Sequence, residues 1–438
     1  MFPPKKSWMG LSPLEWLFLF ACAAYYAAWV FQPFNFSPDE RMRFSVTRFL
    51  FEHGRLPVNE ETIGQPWGYS YAHRPAMFCN VAGALFMKAA SPFTSDSTAL
   101  LLAARMLGVL CVTGTVYCML RASRLLFRAP FHWLAVCLVA MLPQFAYVGS
   151  YVNNDSAALF GSSLVLFAWV SAMRGGWNGR RAAALSAGIS ICALAYYNSY
   201  GWILFSLVMF PLTHWARNGR RGMIRTGLLV AGGAVCLSGC FFLRHLYLYG
   251  DLLGLSTSRR FALQYAAPDF VPGVKKPLCE SGCSLWRMLF GMQWLAMTER
   301  SFIGCFGHMD HYLPHWCYHA FEAVFGAGAV GVLWKGAGWI RGWRRVGVCR
   351  WALLFSLAGC LAVPVGLSVL YSYATDFQPQ GRYCLPALPS AALLAAKGIE
   401  RIADGTAPRK LHGAVVSGLC LSLVLVSLAS YRFFRSLV

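Results

Sequence analysis

Two neighbouring carboxylates, Asp39 and Glu40, stand in the stretch NFSPDERMRFSVTRFLFEHGRLP, directly after the first long apolar run. A carboxylate held at the mouth of a helix bundle can serve as a general base, taking the proton of a hydroxyl as that hydroxyl attacks. A second acid, Asp155 in SYVNNDSAALF, falls where another apolar run begins. It could face Asp39, binding a metal or orienting a substrate hydroxyl. Arg382 in FQPQGRYCLPALP, with Gln378 and Gln380 beside it, carries the guanidinium fork that suits a phosphate. Arg244 and His245, in RHLYLYGDLLGL, could share that task.

Each of these has a plainer structural reading. In SPDE, Ser37 can cap a helix, Pro38 suits its first position, and Glu40 sits where a capping box needs an acid. Gly54 after His53 would end that helix. Met42, Val46, Phe49 and Leu50 fall on one face, with Arg41 and Arg48 toward the other, as in an amphipathic helix lying on a membrane surface. Capping explains Ser37, Pro38 and Glu40, but it reaches Asp39 only through the helix dipole. Asp155, like Asn153 and Asn154, could be a helix cap, and Arg382 could simply snorkel to the interface. In FGHMDHYLPHWCYH, the residues His308, Asp310, His311, His315 and His319 can be drawn as a metal site, but Pro314 interrupts any common helix face. GAGAVG at 326–331 matches GxGxxG, yet it lies inside an apolar run with no preceding strand and is not a nucleotide site.

The elements that must position these residues are membrane helices. Charged residues make up only 13% of the 438, against about 25% in soluble domains. Apolar runs recur near 13–31, 97–119, 131–150, 156–173, 182–197, 199–214, 226–243, 318–336, 350–372, 383–398 and 412–431, which predicts an all-α polytopic bundle of about eleven spans. The opening MFPPKKSWMG has the basic start of a signal peptide, but the run continues to Phe31 without a small-residue cleavage site, as in a retained span. The net charge of +21 does not point to nucleic acid, because the basic residues sit in short connectors such as RASRLLFRAP, MRGGWNGRR and HWARNGRRGMIR. These fall on the side of Lys5 and Lys6, which the positive-inside rule makes cytoplasmic.

The opposite face then carries two long loops, about 32–96 and 244–317, and most of the acids, including Glu52, Glu60, Glu61, Asp251 and Asp376. Within the first loop, 76–90 is too short to span comfortably and reads as an interfacial or re-entrant helix. No separate soluble domain, fixed-period repeat or low-complexity tract is visible, so 1–438 reads as one membrane domain. Of sixteen cysteines, most lie in apolar runs as small hydrophobes, whereas Cys279 and Cys283 share a polar loop where a bridge is possible but strained by the short spacing.

The series of the acidic pair after the first span, HGRLP, YAHRPAM, PQFAYVGSYVNND, LYGDLLGL, SFIGCFGHMDHYLP and QGRYCLPALP resembles a bacterial family of membrane proteins in the GT-C glycosyltransferase superfamily. Distant relatives would be the protein O-mannosyltransferases and the lipid A aminoarabinose transferases. The resemblance covers about Pro33 to Leu388 and rests on the order of the pieces. It implies a sugar donor linked to a polyprenyl phosphate, a glycan, lipid or protein acceptor, and a site on the extracytoplasmic face of a bacterial inner membrane. Asp39 would deprotonate the acceptor hydroxyl, and attack on the anomeric carbon would proceed with inversion. Asp155 matches the second acidic position, where some members hold a divalent metal such as Mg or Mn and others need none. Arg382, with Arg244, would stabilise the leaving phosphate. Glu40, Arg74, His245, Asp310 and Gln380 complete the candidate substrate-binding residues. Two other readings stay open: a flippase or transporter of lipid-linked sugars, and a polysaccharide polymerase or ligase using lipid diphosphate donors. Transporters tend to show repeats, broken spans and midplane polar groups, whereas these spans look mostly clean.

Overall fold

The stretch SPLE at 12–15 starts the first helix in the expected way: Ser12 Oγ accepts from the Glu15 N–H, Glu15 accepts from the Ser12 N–H at 2.7 Å, and Pro13 occupies the first turn. That helix is α1 (Pro13–Trp29) in a computed structural model that describes residues 10–58, 61, 74–266, 268, 271, 273–341 (backbone alone for 335–341) and 347–438. The opening MFPPKKSWM with Lys5 and Lys6, Glu60, the start of YAHRPAM and the arginines of GWRRV lie outside the described residues.

After α1 come α2 (Glu40–His53) and α3 (Phe78–Ala90) in the first loop, then α4 (Ser97–Leu126). Next are α5 (Phe131–Ala140), α6 (Pro143–Val148), α7 (Asp155–Gly175), α8 (Gly179–Ala195), α9 (Tyr200–Asn218) and α10 (Met223–Tyr249). The second loop holds α11 (Leu255–Tyr265), α12 (Trp294–Ile303) and a hairpin of β1 (Cys305–Phe306) and β2 (His311–Tyr312). The chain finishes with α13 (His315–Arg341), α14 (Val348–Ala374), a 3₁₀ segment at Gly381–Ala387, α15 (Leu388–Thr406) and α16 (His412–Arg435).

Every apolar run of the sequence is helical. Among the described residues six helical segments are long and apolar enough to cross a membrane: Ser97–Leu126, Asp155–Gly175, Met223–Tyr249, His315–Trp334, Val348–Ala374 and Arg409–Arg435. These make the chain a multi-pass membrane protein. The core of the bundle is α7, whose most apolar window is 83% buried and which packs on α4, α8 and α9; the same measure is 11% for α10, at the periphery. The 13 residues of α3 rise only about 20 Å, too short to cross, and α3 lies between α2 and α4.

One expected continuous span is broken. The run 131–150 splits after Ala140 because Pro143 has no N–H for the helix and Leu142 before it is extended (φ −66°, ψ 122°). The restart turns Gln144, Tyr147 and Ser150 toward the loops, where Gln144 Oε1 accepts from the Cys305 N–H and Tyr147 donates to the Gly307 carbonyl.

The GAGAVG run also has a plain explanation. Gly328 and Gly331 of α13 meet Gly398 of α15 backbone to backbone, and a Cβ on Gly398 would stand 1.8 Å from the Gly328 carbonyl oxygen. Small residues let membrane helices approach this closely. Gly398→Val therefore separates α13 from α15 and lowers stability by about 1–3 kcal/mol or more, read as an earlier thermal transition of the detergent-solubilised protein. An unchanged transition would show that the crossing is slack.

The two ends of the bundle differ. At one end Arg124 pairs with Glu15 (2.7 Å), and Arg128 with Asp404 (2.6 Å) and Glu400 (3.3 Å). The acids Asp39 and Asp155 stand at the other.

Candidate active site

The loop before α2 is positioned from inside the bundle. Arg105, in the middle of α4, and Glu40 are 1% and 0% exposed. Arg105 donates to Glu40 through Nε and Nη2, both at 2.8 Å, and its Nη1 and Nη2 also reach the carbonyls of Val30, Gln32 and Pro33. Glu40 accepts further from the N–H groups of Asn35 and Val152. This corrects the capping-box reading of SPDE. The same S-P-x-E pattern that caps α1 fails at α2, because a buried guanidinium claims the carboxylate. Helix α2 starts only at Glu40, and Ser37 Oγ lies 2.9 Å from Gln32 Oε1 and 2.8 Å from Tyr147 Oη. Gly54, at φ 69°, ends α2 as its type suggests.

Asp39 is thereby left at the junction with φ 63°, a left-handed conformation that Asp tolerates better than most residues, and its side chain makes no capping bond. Its Oδ2 accepts from Arg382 Nη2 at 2.8 Å, joining residues 343 positions apart. The side chains of Arg382 and Asp39 are 4% and 23% exposed, so the arginine is buried and the acid opens to the outside.

Arg382 is fixed by the segment around it. Gly381 comes so close to α12 that a Cβ there would stand 2.1 Å from the Phe302 nitrogen, and its N–H donates to Ser301 Oγ. Arg382 Nε donates to Gln380 Oε1 (2.8 Å), and the guanidinium lies 5.1 Å from the centroid of the Tyr383 ring. The Tyr383 hydroxyl donates to Gln378, which donates to Asp376. Burial works against the Arg382 charge, but Asp39 foremost, then Tyr383, Tyr151 and Asp155, outweigh it and hold the guanidinium well above its ordinary value. Among the described residues, Arg382 Nη1 and the hydroxyl of Tyr151 are buried without a hydrogen-bond partner. Burial pushes the Tyr151 phenol up, so it is a neutral donor.

Asp155 is the first residue of α7 and 2% exposed. The cap expected of it is supplied by Asn153, whose Oδ1 accepts from the Ser156 N–H at 3.0 Å. The Asn154 side chain donates to the Ala195 carbonyl and is buried. The charges that reach Asp155 are those of Arg382, Arg43 and Asp39, which places it in the same cluster. Arg43, Arg105, Tyr151 and Tyr383 were not singled out in the sequence. Arg105 had a signal, a lone charge inside the apolar run LLAARMLGVL. Arg43 had a weaker one, its place one turn after Asp39 on the face of Val46 and Thr47.

The other candidates are dispersed. Arg74 donates to Ser258 Oγ at 3.2 Å, and its charge reaches Tyr371, which also feels Tyr383 and Asp39; this sets Arg74 at the rim. Arg244 donates to the carbonyls of Leu56 and Pro57, and His245 is bonded to the Asp251 carbonyl; among the described contacts neither touches Asp39. Asp310 is exposed beside His311, whose ring stacks on Phe36. Cys279 and Cys283 are not bridged.

A divalent cation shared by Asp39 and Asp155 would lie among the charges of Arg382 and Arg43, so these residues do not fit a metal. Among the described residues no three His, Cys, Asp or Glu side chains gather as a metal site.

Asp251 organises the second loop. Partial burial would raise its carboxyl, but the Ser256 hydroxyl and the N–H groups of Thr257 and Gly254 hold it well below the usual carboxylate range. Its contribution is thus complete above the ordinary carboxylate pKa and is lost only as pH falls through the depressed one. Asp251→Ala should cost about 1 kcal/mol at neutral pH, seen as faster amide exchange across α11. Equal exchange rates would dissociate Asp251 from the order of that helix.

The helix bundle that carries this acid–arginine cluster has counterparts of similar fold among solved structures. Its structural likeness is to the oligosaccharyltransferase AglB of Archaeoglobus fulgidus. In the structure tethered to an acceptor peptide containing the NVT sequon, the TM-score is 0.55 at 12% identity, over 97% of this chain and 56% of that one. For the complex with Zn and sulfate it is 0.55 at 14% identity, over 94% and 52%. For the complex with an inhibitory peptide and a dolichol-phosphate it is 0.52 at 12% identity, over 98% and 56%. The chain spans about half the length of these proteins, and at this identity the likeness is one of fold. No family model matches the chain, and no curated protein matches it in sequence.

Proposed function

We propose that the protein is an integral-membrane glycosyltransferase that moves a sugar from a polyprenyl-phosphate donor to an acceptor hydroxyl, on the extracytoplasmic side of a bacterial inner membrane. The observation that carries this reading is the Asp39–Arg382 pair: an outward-facing carboxylate on a guanidinium whose other nitrogen, Nη1, is buried without a partner among the described residues. A donor phosphate takes that vacant donor position, adding a charge-assisted bond. The guanidinium charge is then shared between phosphate and Asp39, so the carboxylate regains basicity. The acceptor oxygen bonds to the anomeric carbon as its proton passes to Asp39, and the carbon–oxygen bond to phosphate breaks, its electron pair leaving on polyprenyl phosphate. Arg382 stabilises that growing charge. Attack opposite the leaving group inverts the anomeric centre. Asp155, the first residue of α7 and within the fields of Arg382 and Asp39, orients the acceptor. The acceptor class is a glycan, lipid or protein. The match to a fold that holds a dolichol-phosphate supports the lipid-linked donor.

The test is turnover by the purified full chain in membranes with a panel of polyprenyl-phosphate monosaccharides. Release of polyprenyl phosphate with transfer of sugar is expected. Consumption of lipid diphosphate oligosaccharides alone would instead favour a polymerase or ligase, and donor movement across vesicles without chemistry would favour a flippase.

A further inference from the structure

Helix α7 runs about 30 Å from Asp155 to the opposite end of the bundle. There a cavity of about 540 Å³ opens between the last turns of α4, α7, α9 and α15 and the first turns of α14. Its walls are apolar: Met173, Leu353, Leu357 and Leu393, with the half-buried Leu354 and Leu394. Five cations from four helices line the same space: Arg174, Arg217, Arg350, Lys397 and Arg401. No carboxylate is among the described lining residues. The nearest acids are engaged behind it, Glu400 with Lys397 and Arg128, and Asp404 with Arg128. Arg174 lies within the fields of Arg350 and Arg217, and neither of those two makes an ion pair among the described residues.

Basic residues at this end would ordinarily extend separately toward water. Here guanidinium groups instead converge over a leucine-lined cavity, an arrangement that like charges resist unless an anion joins them. Basic pockets between membrane helices are suited to phospholipid head groups. We propose that this cavity binds an anionic phospholipid, its phosphate held by Arg174, Arg217 and Arg350 and the start of its acyl chains seated against Leu354, Leu357 and Leu394. Free phosphate would use the cations but leave the apolar wall uncovered. The site is separate from the Asp39 cluster and stands whether or not that cluster transfers sugar.

The test is lipid retention by the delipidated full chain in native mass spectrometry, titrated with phosphatidylglycerol or with phosphatidylcholine of the same acyl chains. Phosphatidylglycerol should bind about tenfold or more tightly. The pair Arg217→Ala with Arg350→Ala should abolish that preference. Leu394→Trp, which keeps every charge and fills the cavity, should abolish binding. Arg220→Ala with Arg225→Ala, removing two cations from a neighbouring groove, should leave it intact. Equal binding of phosphatidylcholine by the wild type, retention of the preference without Arg217 and Arg350, or displacement by inorganic phosphate at the same concentration would each overturn the assignment. If the arginine pair fails to fold, the wild-type lipid comparison and Leu394→Trp decide.

Discussion

Asp39→Asn is expected to lower sugar transfer about 10²- to 10⁴-fold, the usual worth of a positioned general base, with donor affinity unchanged. The substitution is a sharp one for this position. Asn tolerates the left-handed backbone nearly as well as Asp, and its amide oxygen can still accept from Arg382 Nη2. Folding and the 2.8 Å contact should survive while the basic group is gone. The loss should therefore fall on kcat, with KM nearly constant. Arg382→Ala should behave differently, weakening donor binding and turnover together, because its proposed contact with phosphate begins in the bound state and strengthens as the bond breaks. Full activity of Asp39→Asn would reduce Asp39 to an anchor for Arg382 and move the base to Asp155.

The second large effect concerns stability. Glu40→Ala should destabilise the protein by about 3–5 kcal/mol, because it leaves the Arg105 charge inside the bundle without its carboxylate. The two hydrogen bonds of the bidentate pair and the bonds from Asn35 and Val152 go with it. Arg105→Met should cost a similar amount, since Glu40 is then the buried orphan. The two changes together should cost much less than their sum, the signature of a coupled pair. Denaturant unfolding in detergent measures all three. A loss under about 1 kcal/mol for each single change would mean that water already reaches the pair.

These two neighbours show how far the residues could be read. Length and apolar content were enough to mark the long helices of the bundle, because a membrane chain must satisfy its backbone within each segment, but not α11 and α12, which lie in the stretch 244–317 read as a loop. Gly54 as a helix end was equally local. SPDE was not. Its local pattern is that of a cap, and SPLE proves that the pattern can cap, but the outcome at Glu40 depends on Arg105, 65 positions later. Periodicity reports that a face is buried and cannot name what it is buried against. The break at Pro143 was visible as a proline yet passed as part of a run, and with it went Tyr147 and Tyr151. Asp39, Asp155 and Arg382 came into view for chemical reasons, as acids and a guanidinium at helix ends, and the structure gathers all three. Arg244 and His245 were proposed on the same grounds, and their described contacts lie with carbonyl oxygens of the loops instead.

The separation of Asp39 from Arg382 has a consequence for how the protein is made. The Glu40–Arg105 clamp can close once α4 has entered the membrane, so the first loop is set early in synthesis. Arg382 emerges only after α14, with most of the chain already translated. Throughout that interval the loop is built but Asp39 lacks Arg382, the partner it meets at 2.8 Å in the finished chain. If Asp39 and Arg382 act together as proposed, no chain that stops short of Arg382, in about the last eighth of the sequence, can carry out the transfer.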